Sequence, residues 1–173
     1  MIKGEKIYLR AMEPEDMDAM YVWENDPEVW HVSNTYIPFS RHFLKQFISN
    51  SNNDIFTDKQ LRLMIILNEN EECIGTLDFF EFDAMHRRAG TGILIDKQHR
   101  QQGYAIEALE LSKKYAFNTL NLHQLFAHIT MDNEPSLNIF QKAGFKISGT
   151  KNDWLISGNT WKHVYFLQLI STT

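Results

Sequence analysis

The middle of the chain alternates strand, helix and strand, and this order constrains the fold more than any other feature. An apolar run at 91–96, TGILID, precedes a helical pattern over about Tyr104–Thr119, and a second apolar run, LHQLFAHIT, follows at 122–130. Two strands joined through a helix lie parallel in one sheet, whereas a tight turn joins only antiparallel strands. The sequence therefore predicts one parallel strand pair near the centre of the sheet.

The segments on either side of this unit predict antiparallel strands. Ser40 is a suitable cap for one early helix, and Asn133 or Glu134 for a late one that Gly144 ends. Seven strands are predicted in all, at 6–12, 61–67, 73–83, 87–95, 122–130, 145–156 and 160–170. The fold class is therefore α/β: one domain over residues 1–173, with a mixed, mostly antiparallel sheet and about four helices.

Composition excludes several classes of protein. The 173 residues carry a net charge of −5, which argues against nucleic-acid binding as the main activity. Cys73 is the single cysteine, so no disulfide framework exists within the chain, and a reducing compartment fits. No apolar run approaches the ~18 residues that a membrane span requires. We expect a soluble cytoplasmic protein that has no membrane segment.

The segment HRQQGYAI at 99–106 joins the central strand to its helix. The first N–H groups of a helix lack intrahelical partners and lie at the positive end of its dipole, which suits a phosphate. Gly103 allows a ligand to approach the backbone closely, and Arg100 adds a positive charge. Taken locally, the same residues also fit a purely structural role, in which Gly103 eases the chain into the helix and Arg100 is solvated.

The wider pattern resembles a known superfamily. Residues 100–105, RQQGYA, fit the pattern [RQ]-x-x-G-x-[GA] that marks acetyl-CoA binding in the GNAT superfamily of N-acetyltransferases. Further matches are IGTLDFFEFDAMHRRAGTGILID, DNEPSLNIFQKAGF and GTKNDWLISGNTWKHVYFLQL, and the resemblance runs from about residue 5 to residue 170. The most similar subfamily contains the ribosomal-protein N-terminal and the spermidine/diamine N-acetyltransferases.

This resemblance implies a GNAT fold whose parallel strands splay apart, with acetyl-CoA as cosubstrate. Backbone groups would bind the pyrophosphate in the loop and the pantetheine arm along the central strand, and a third group of residues would flank the thioester. The resemblance assigns pyrophosphate binding to Arg100, Gln101, Gln102, Gly103, Tyr104 and Ala105. It assigns the pantetheine arm to Ile93, Leu94 and Ile95, and the thioester end to Asn133, Asn138 and Phe140.

The chain departs from the family pattern where the chemistry occurs. Phe140 occupies the position at which related polyamine enzymes carry a tyrosine that protonates the leaving thiolate, and a phenyl ring cannot donate a proton. Tyr104, Tyr36 or a water remain as alternatives. Gly90 occupies the position of an expected glutamate, and the early loop HVSNTYIPFS contains no carboxylate.

Asp78 is the catalytic candidate that family position favours, with Glu81 as a second acidic residue. The two are three apart in a strand, so alternation predicts opposite faces, and a solvent-facing structural role is the alternative for both. We expect Trp30, together with Tyr36 and Phe39, to line an acceptor pocket.

Other chemistries have little support in the sequence. His123 and His128 are five apart in a strand and so lie on opposite faces, and no metal motif is present, so no metal site is predicted. Cys73 follows Glu71 and Glu72, which oppose a reactive thiolate.

The predicted function is direct transfer of the acetyl group of acetyl-CoA to a primary amine. The acceptor is a small amine or diamine, or the N-terminal amino group of a peptide or protein. Homo-oligomers are common among the relatives and are possible here. The alternative, favoured by Phe140 and Gly90, is a catalytically silent protein that binds or senses acyl-CoA.

Overall fold

The computed structural model describes residues 1–33, 37–51 and 54–172. The strands are β1 (Ile2–Lys3), β2 (Ile7–Ala11), β3 (Leu61–Leu67), β4 (Cys73–Asp83), β5 (Arg88–Ile95), β6 (Gln124–Thr130), β7 (Lys146–Ser157) and β8 (Thr160–Ile170). The helices are α1 (Met17–Glu24), α2 (Pro27–Ser33), α3 (Arg41–Asn50), α4 (Ile55–Asp58), α5 (Tyr104–Lys114), which continues as a π-helical turn to Thr119, and α6 (Glu134–Lys142).

The strands form one sheet in the order β1-β2-β3-β4-β5-β6-β8-β7. Every neighbouring pair is antiparallel except β5 and β6, which are parallel as predicted. The parallel ladder covers only Arg88–Gly90 against Gln124–Phe126. Beyond it, β5 stays paired with β4 as far as Ile95, and β6 stays paired with β8 as far as Thr130. The two central strands therefore separate after Gly90 and Phe126.

The predicted helix ends are confirmed by their caps. The Ser40 hydroxyl accepts a hydrogen bond from the Phe43 N–H at 3.0 Å, and Asn133 Oδ1 accepts one from the Ser136 N–H at 3.2 Å. Gly144 ends α6 with φ of +96°, a conformation that glycine adopts without steric cost. These contacts are local, which is why the sequence predicted them.

Two clusters of apolar side chains cover the two faces of the sheet. The larger lies under α5 and α6 and includes Leu109, Leu125 and Ala127. A smaller cluster, with Met20 and Leu44, packs α1 and α3 on the opposite face. Because side chains alternate along a strand, Phe126 and His128 of β6 lie on the face away from α5.

The described residues contain six helices, where about four were predicted, and one additional short strand, β1. A proline often marks the end of a helix, but Pro27 begins α2, since proline also fits the first turn, where no intrahelical N–H bond is required. Helix α4 is a single turn capped by Asp54, which accepts from the Phe56 N–H at 3.0 Å. One turn carries too little periodicity to be recognised from sequence.

Candidate active site

The gap between β5 and β6 is the central feature of the site. Past Gly90 and Phe126, the facing edges of the two strands form no ladder with each other in the described part of the chain. Ile93 and Leu94 are half-buried along this gap, and Ile95 is buried beside them. A strand edge with free N–H and C=O groups can pair with an extended ligand as if it were another strand.

The chain leaves the end of β5 at Ile95 and, after a short loop, begins α5 at Tyr104. Gly103 caps the helix with φ of +87° and has no side chain to bond the first N–H groups, and a Cβ built on it meets no atom within 4 Å. Gln101, Gln102 and Gly103 are exposed, and Gln101 also has a positive φ, of +63°. The loop thus presents unpaired amides to open space at the positive end of the helix dipole.

Arg100 is held against the end of β5. Its Nε donates to the Ile95 carbonyl oxygen at 3.1 Å, which leaves the rest of the guanidinium group to interact with a ligand. The same bond occupies the Ile95 carbonyl. The backbone groups of Leu94 face β4, since the Asp96 N–H two residues on bonds the Ile74 carbonyl oxygen of that strand. Of the three β5 residues expected along the pantetheine arm, Ile93 therefore has the backbone groups that are free to face the gap.

Thr91 is a residue of the gap that the sequence did not single out. Its side chain is buried, with 2% exposure, and Oγ1 has no hydrogen-bond partner in the described residues. A buried hydroxyl without a partner costs roughly 1–3 kcal/mol, so its persistence at the start of the gap points to a ligand contact. The sequence signal was weak, because a threonine is ordinary in a strand.

The residues expected near the thioester have different surroundings. Asn133 lies at the start of α6, but its side-chain oxygen is used as the helix cap. Asn138 is exposed on α6. Phe140 is 2% exposed and packs against Phe145 with ring centroids 5.0 Å apart. These contacts give Asn133 and Phe140 structural roles whether or not a coenzyme is bound.

On the face away from α5, two titratable side chains lie on either side of the gap. Asp78 pairs across β4 and β5 with Gly92, which has no side chain to separate it from the gap. Continuing the parallel register by two residues would place His128 opposite Gly92. Asp78 and His128 therefore occupy one row across the sheet, with the gap between Gly92 and His128.

The Asp78 carboxylate is engaged by Arg62. Arg62 Nε and Nη2 donate to the two Asp78 oxygens at 2.7 and 3.0 Å, and Arg62 Nη1 also contacts Glu24. Both oxygens of the Asp78 carboxylate are therefore occupied by charge-assisted hydrogen bonds from one guanidinium.

His128 is surrounded by aromatic rings and one cation. The rings of Phe126 and Phe166 lie 5.6 and 5.4 Å from the imidazole, centroid to centroid, and Lys151 Nζ lies 3.3 Å from His128 Nε2. Burial and the Lys151 charge lower the pKa of His128 below its usual 6.5. The imidazole is therefore neutral at pH 7, and since an ammonium can only donate, Nε2 is the acceptor in this contact.

A bulge in β4 reverses an expectation from the sequence. Two residues of β4 oppose one of β5 between Phe80 and Asp83, and Glu81 has φ of +48°. Alternation was therefore a poor guide, and Glu81 lines the same cavity as His128. This cavity of about 870 Å³, which we call the acceptor cleft, is lined by Lys59, Glu81, Phe82, Asp83, Ala84, Met85, Arg88, Gln124, Phe126, His128, Lys151, Phe166 and Gln168.

Gly90 has a packing explanation. A Cβ at this position would lie 2.2 Å from Cε2 of Phe80, whose ring fills the space above it. The Phe80 ring also meets Phe126 edge-on, with centroids 5.9 Å apart. The phenyl ring thus excludes the carboxylate expected at residue 90 and makes this end of the cleft aromatic.

Gly90→Ala is expected to destabilise the protein by about 1–3 kcal/mol, because the new methyl group overlaps the Phe80 ring. Phe80→Leu in the same chain makes room and should recover part of that loss. Urea unfolding of both single variants and the double variant measures the coupling between the two positions. Strictly additive losses would show that Phe80 does not determine the need for glycine.

The other aromatic candidates lie away from the acceptor cleft. Tyr104 bonds to Gln102 through its hydroxyl at 3.3 Å and lines a separate cavity with Lys6 and Asn68. Trp30 Nε1 donates to the Glu24 carbonyl oxygen at 2.6 Å, and Phe39 stacks on Phe43. Tyr36 lies outside the described residues. The aromatic lining is supplied instead by β4, β6 and β8, which residue type and position alone did not reveal.

Burial raises the pKa of the Cys73 thiol to about 11, so it is not a nucleophile at neutral pH. Within residues 1–33, 37–51 and 54–172, no group of three or more His, Cys, Asp or Glu side chains is placed to hold a metal ion. None of the helices in those ranges has the length and apolar character to cross a bilayer.

Comparison with known proteins agrees with this geometry. A family model described as an acetyltransferase (GNAT) domain matches residues 6–146. The chain is 30% identical to the uncharacterized N-acetyltransferase p20 of Bacillus licheniformis, over 96% of this chain and 93% of that protein. It is 26% identical to the spermidine N(1)-acetyltransferase of Escherichia coli (strain K12), over 91% and 83%. The structure of spermidine N-acetyltransferase from Vibrio cholerae in complex with CoA and spermine matches with a TM-score of 0.85 at 21% identity, over 96% of each chain.

A sheet whose central parallel strands separate and lead into a helix N-terminus without a capping side chain is the arrangement of an acyl-CoA-dependent acyltransferase. The chain belongs to the GNAT acetyltransferase family. The predicted fold is confirmed, and so is the predicted activity, that of an N-acetyltransferase with acetyl-CoA as cosubstrate.

Proposed function

We propose that the acetyl group is transferred directly from acetyl-CoA to an α-amino group that enters through the acceptor cleft. The pyrophosphate binds the amides of residues 101–105 beside Arg100, and the pantetheine arm lies in the gap along Ile93. The observation that carries this proposal is the end of the parallel ladder at Gly90 and Phe126, on the strand that leads into the unpaired amides at the start of α5. The gap joins the loop on one side to the acceptor cleft on the other.

Thr91 is proposed to hydrogen-bond the arm inside the gap. Thr91→Val keeps the shape and removes the hydroxyl, so the protein without coenzyme should be as stable as before or up to about 1 kcal/mol more stable. The Kd for CoA should rise about threefold to tenfold. Thermal unfolding without ligand and calorimetry with CoA measure the two effects.

Thr76→Val is the matched control for this substitution. Thr76 is also buried, but it lies on β4, which is paired on both sides by β3 and β5. Its substitution should leave the Kd for CoA unchanged. Equal affinity in Thr91→Val and the parent protein would remove Thr91 from the coenzyme site.

His128 is proposed to remove the proton from the amine. As the amine nitrogen bonds to the carbonyl carbon, the C–S bond breaks, the proton passes to the neutral imidazole, and CoA leaves as thiolate. A thiol with a pKa of about 8.5 is a tolerable leaving group without a dedicated acid. For Asp78, the candidate favoured by sequence, we propose a positioning role, since Arg62 holds its carboxylate.

The proton balance supports an α-amino acceptor over a polyamine. Deprotonating the α-ammonium of a peptide, of pKa ~7.8, at pH 7 costs about 1 kcal/mol, whereas an alkyl ammonium of pKa ~10.4 costs about 4–5 kcal/mol. The cost for a free amino acid lies between these two, because its own carboxylate stabilises the ammonium. A neutral imidazole with a lowered pKa is matched to the first task only. In addition, Arg62 bonds two carboxylates on this face, Glu24 and Asp78, and offsets one of their two negative charges, which weakens their attraction for a polycation.

A panel of acceptors tests this proposal, with spermidine, a diamine, free amino acids and short peptides, and with release of free thiol as the signal. Turnover with α-amines is the expected result. Robust turnover of spermidine alone would overturn the acceptor class, although acetyl transfer itself would stand. CoA binding by calorimetry with no turnover of any amine would favour the alternative, a silent acyl-CoA-binding or sensing protein.

We further propose that the enzyme is cytoplasmic and assembles as a homo-oligomer. A cytoplasmic enzyme fits the single, half-buried free cysteine, Cys73. A homo-oligomer fits the dodecameric structure known for the Vibrio cholerae spermidine N-acetyltransferase. Light scattering of the purified protein measures its state of assembly.

A further inference from the structure

We propose that the acceptor carries a carboxylate next to its amino group and that Lys151 binds this carboxylate, so that the acceptor is an α-amino acid with an aromatic or apolar side chain. This inference rests on the proposed transfer to an amine in the acceptor cleft. It adds a binding residue that neither the family resemblance nor the relatives suggest.

Lys151 has no carboxylate partner in the described residues, although it lies inside a polar cleft. Its Nζ contacts His128 Nε2 at 3.3 Å and lies 4.5 and 5.9 Å from the ring centroids of Trp154 and Phe166. Arg88, by contrast, pairs with Asp83 at 3.2 Å, and Lys59 lies over the Phe82 ring. Lys151 is thus the cation next to the imidazole. Glu81 lines the same cleft and acts on His128, but among the described residues no carboxylate lies within salt-bridge distance of Lys151, which leaves its ammonium open to a ligand's carboxylate.

The local backbone is built to hold Lys151 in this position. Between Lys151 and Leu155 the register of β7 shifts against β8, with Asp153 at φ of +48°. The Asp153 N–H donates to His163 Nδ1 at 3.0 Å, which fixes the bulge. A bulge re-aims side chains, and here the ring of Trp154 lies against the Lys151 ammonium.

The position of this cation selects among amines. An ammonium 3.3 Å from the imidazole repels a second cation, so a polyamine meets like charge where its reacting nitrogen must sit. A carboxylate is attracted to the same point. In an α-amino acid one carbon separates carboxylate from amine, so the two groups reach Lys151 and His128 together.

Binding of the carboxylate also prepares the base. In the structure the Nε2 lone pair of His128 accepts from Lys151. A carboxylate competes for the Lys151 ammonium and releases that lone pair to accept the proton of the neighbouring amine. The apolar walls formed by Phe126 and Phe166 then face the acceptor's side chain.

Three acceptors with the same aromatic group test the proposal: L-phenylalanine, L-phenylalaninamide and 2-phenylethylamine, with spermidine as the polycation. The expected kcat/KM for phenylalanine is about tenfold to 100-fold above that of either analogue that lacks the carboxylate, the range for a charge-assisted hydrogen bond. A peptide amide that begins with aspartate carries its carboxylate on the side chain of its first residue. It therefore tests whether the carboxylate comes from a free amino acid or from an acidic N-terminal residue. Preference for that peptide would keep Lys151 as the anion site and overturn the free amino acid.

Lys151→Met should abolish the preference for phenylalanine over 2-phenylethylamine, as measured by the ratio of their kcat/KM values. Lys59→Met, a lysine of the same cleft, should keep the preference intact. Equal use of phenylalanine and 2-phenylethylamine by the parent enzyme overturns the Lys151 site while leaving acetyl transfer to amines in place. Absence of turnover with every amine, despite CoA binding, overturns both. The comparison of acceptors on the parent enzyme decides the question even if Lys151→Met does not fold.

Discussion

Gly103→Asp is expected to weaken CoA binding by at least about 100-fold. The substitution places a carboxylate at the helix N-terminus where the pyrophosphate is proposed to bind, and two like charges about 4 Å apart repel by up to about 4 kcal/mol near a protein surface. A Cβ at this position meets open space, so no steric clash contributes. Isothermal calorimetry with CoA measures the loss.

Gly103→Asn is the matched control, because asparagine has the same size as aspartate and tolerates the φ of +87° equally well. It should lower thermal stability as much as Gly103→Asp does, while reducing CoA affinity far less. Equal affinities of the two variants would mean that charge at residue 103 is irrelevant, and the pyrophosphate would have to bind elsewhere.

His128→Gln is expected to lower kcat/KM for α-amines by about 10²–10⁴, the usual contribution of a general base, with the Kd for CoA unchanged. The pKa of His128 lies below 6.5, so the neutral form predominates at pH 7 and protonation removes the base as the pH falls. The parent enzyme should therefore lose activity on the acid side, below pH 6.5, and the variant should not show this limb. Rates across pH 5–8 on a single acceptor measure it.

Two further variants test whether His128 is the base. Asp78→Asn should retain the acid limb, because both Asp78 oxygens are held by Arg62 and His128 is the proposed base. Lys151→Met should move the limb to higher pH, since the Lys151 charge contributes to the lowered pKa of His128. If Asp78→Asn removes the limb and His128→Gln keeps it, Asp78 is the base, as the sequence indicated.

Much of the fold was predictable because its signals are local. The parallel pair followed from a strand, a helix and a strand in succession, and the caps Ser40 and Asn133 followed from single residues at helix starts. The errors were also local in origin. Pro27 carries the same signal whether it ends one helix or begins the next, and the bulge at Glu81 breaks an alternation that the sequence shows as unbroken.

The acceptor side of the site was not predictable in this way. His128 on its own is an ordinary strand residue, and Lys151, its contact in the structure, is 23 residues away in the chain. Their proximity depends on the register of β6, β8 and β7 and on the bulge after Lys151. The sequence likewise indicated only that a carboxylate is absent at Gly90, whereas in the structure the Phe80 ring occupies the space that a side chain there would need.

The sequence by itself determined the parallel crossover and the loop at residues 100–105, because unpaired amides at a helix start and the sense of a strand connection depend only on neighbours along the chain. Only the tertiary structure decided which side chains face the separated strands. A side chain's electrostatic surroundings depend on residues that are distant in sequence and brought together by strand register, and one bulge is enough to change which of them meet.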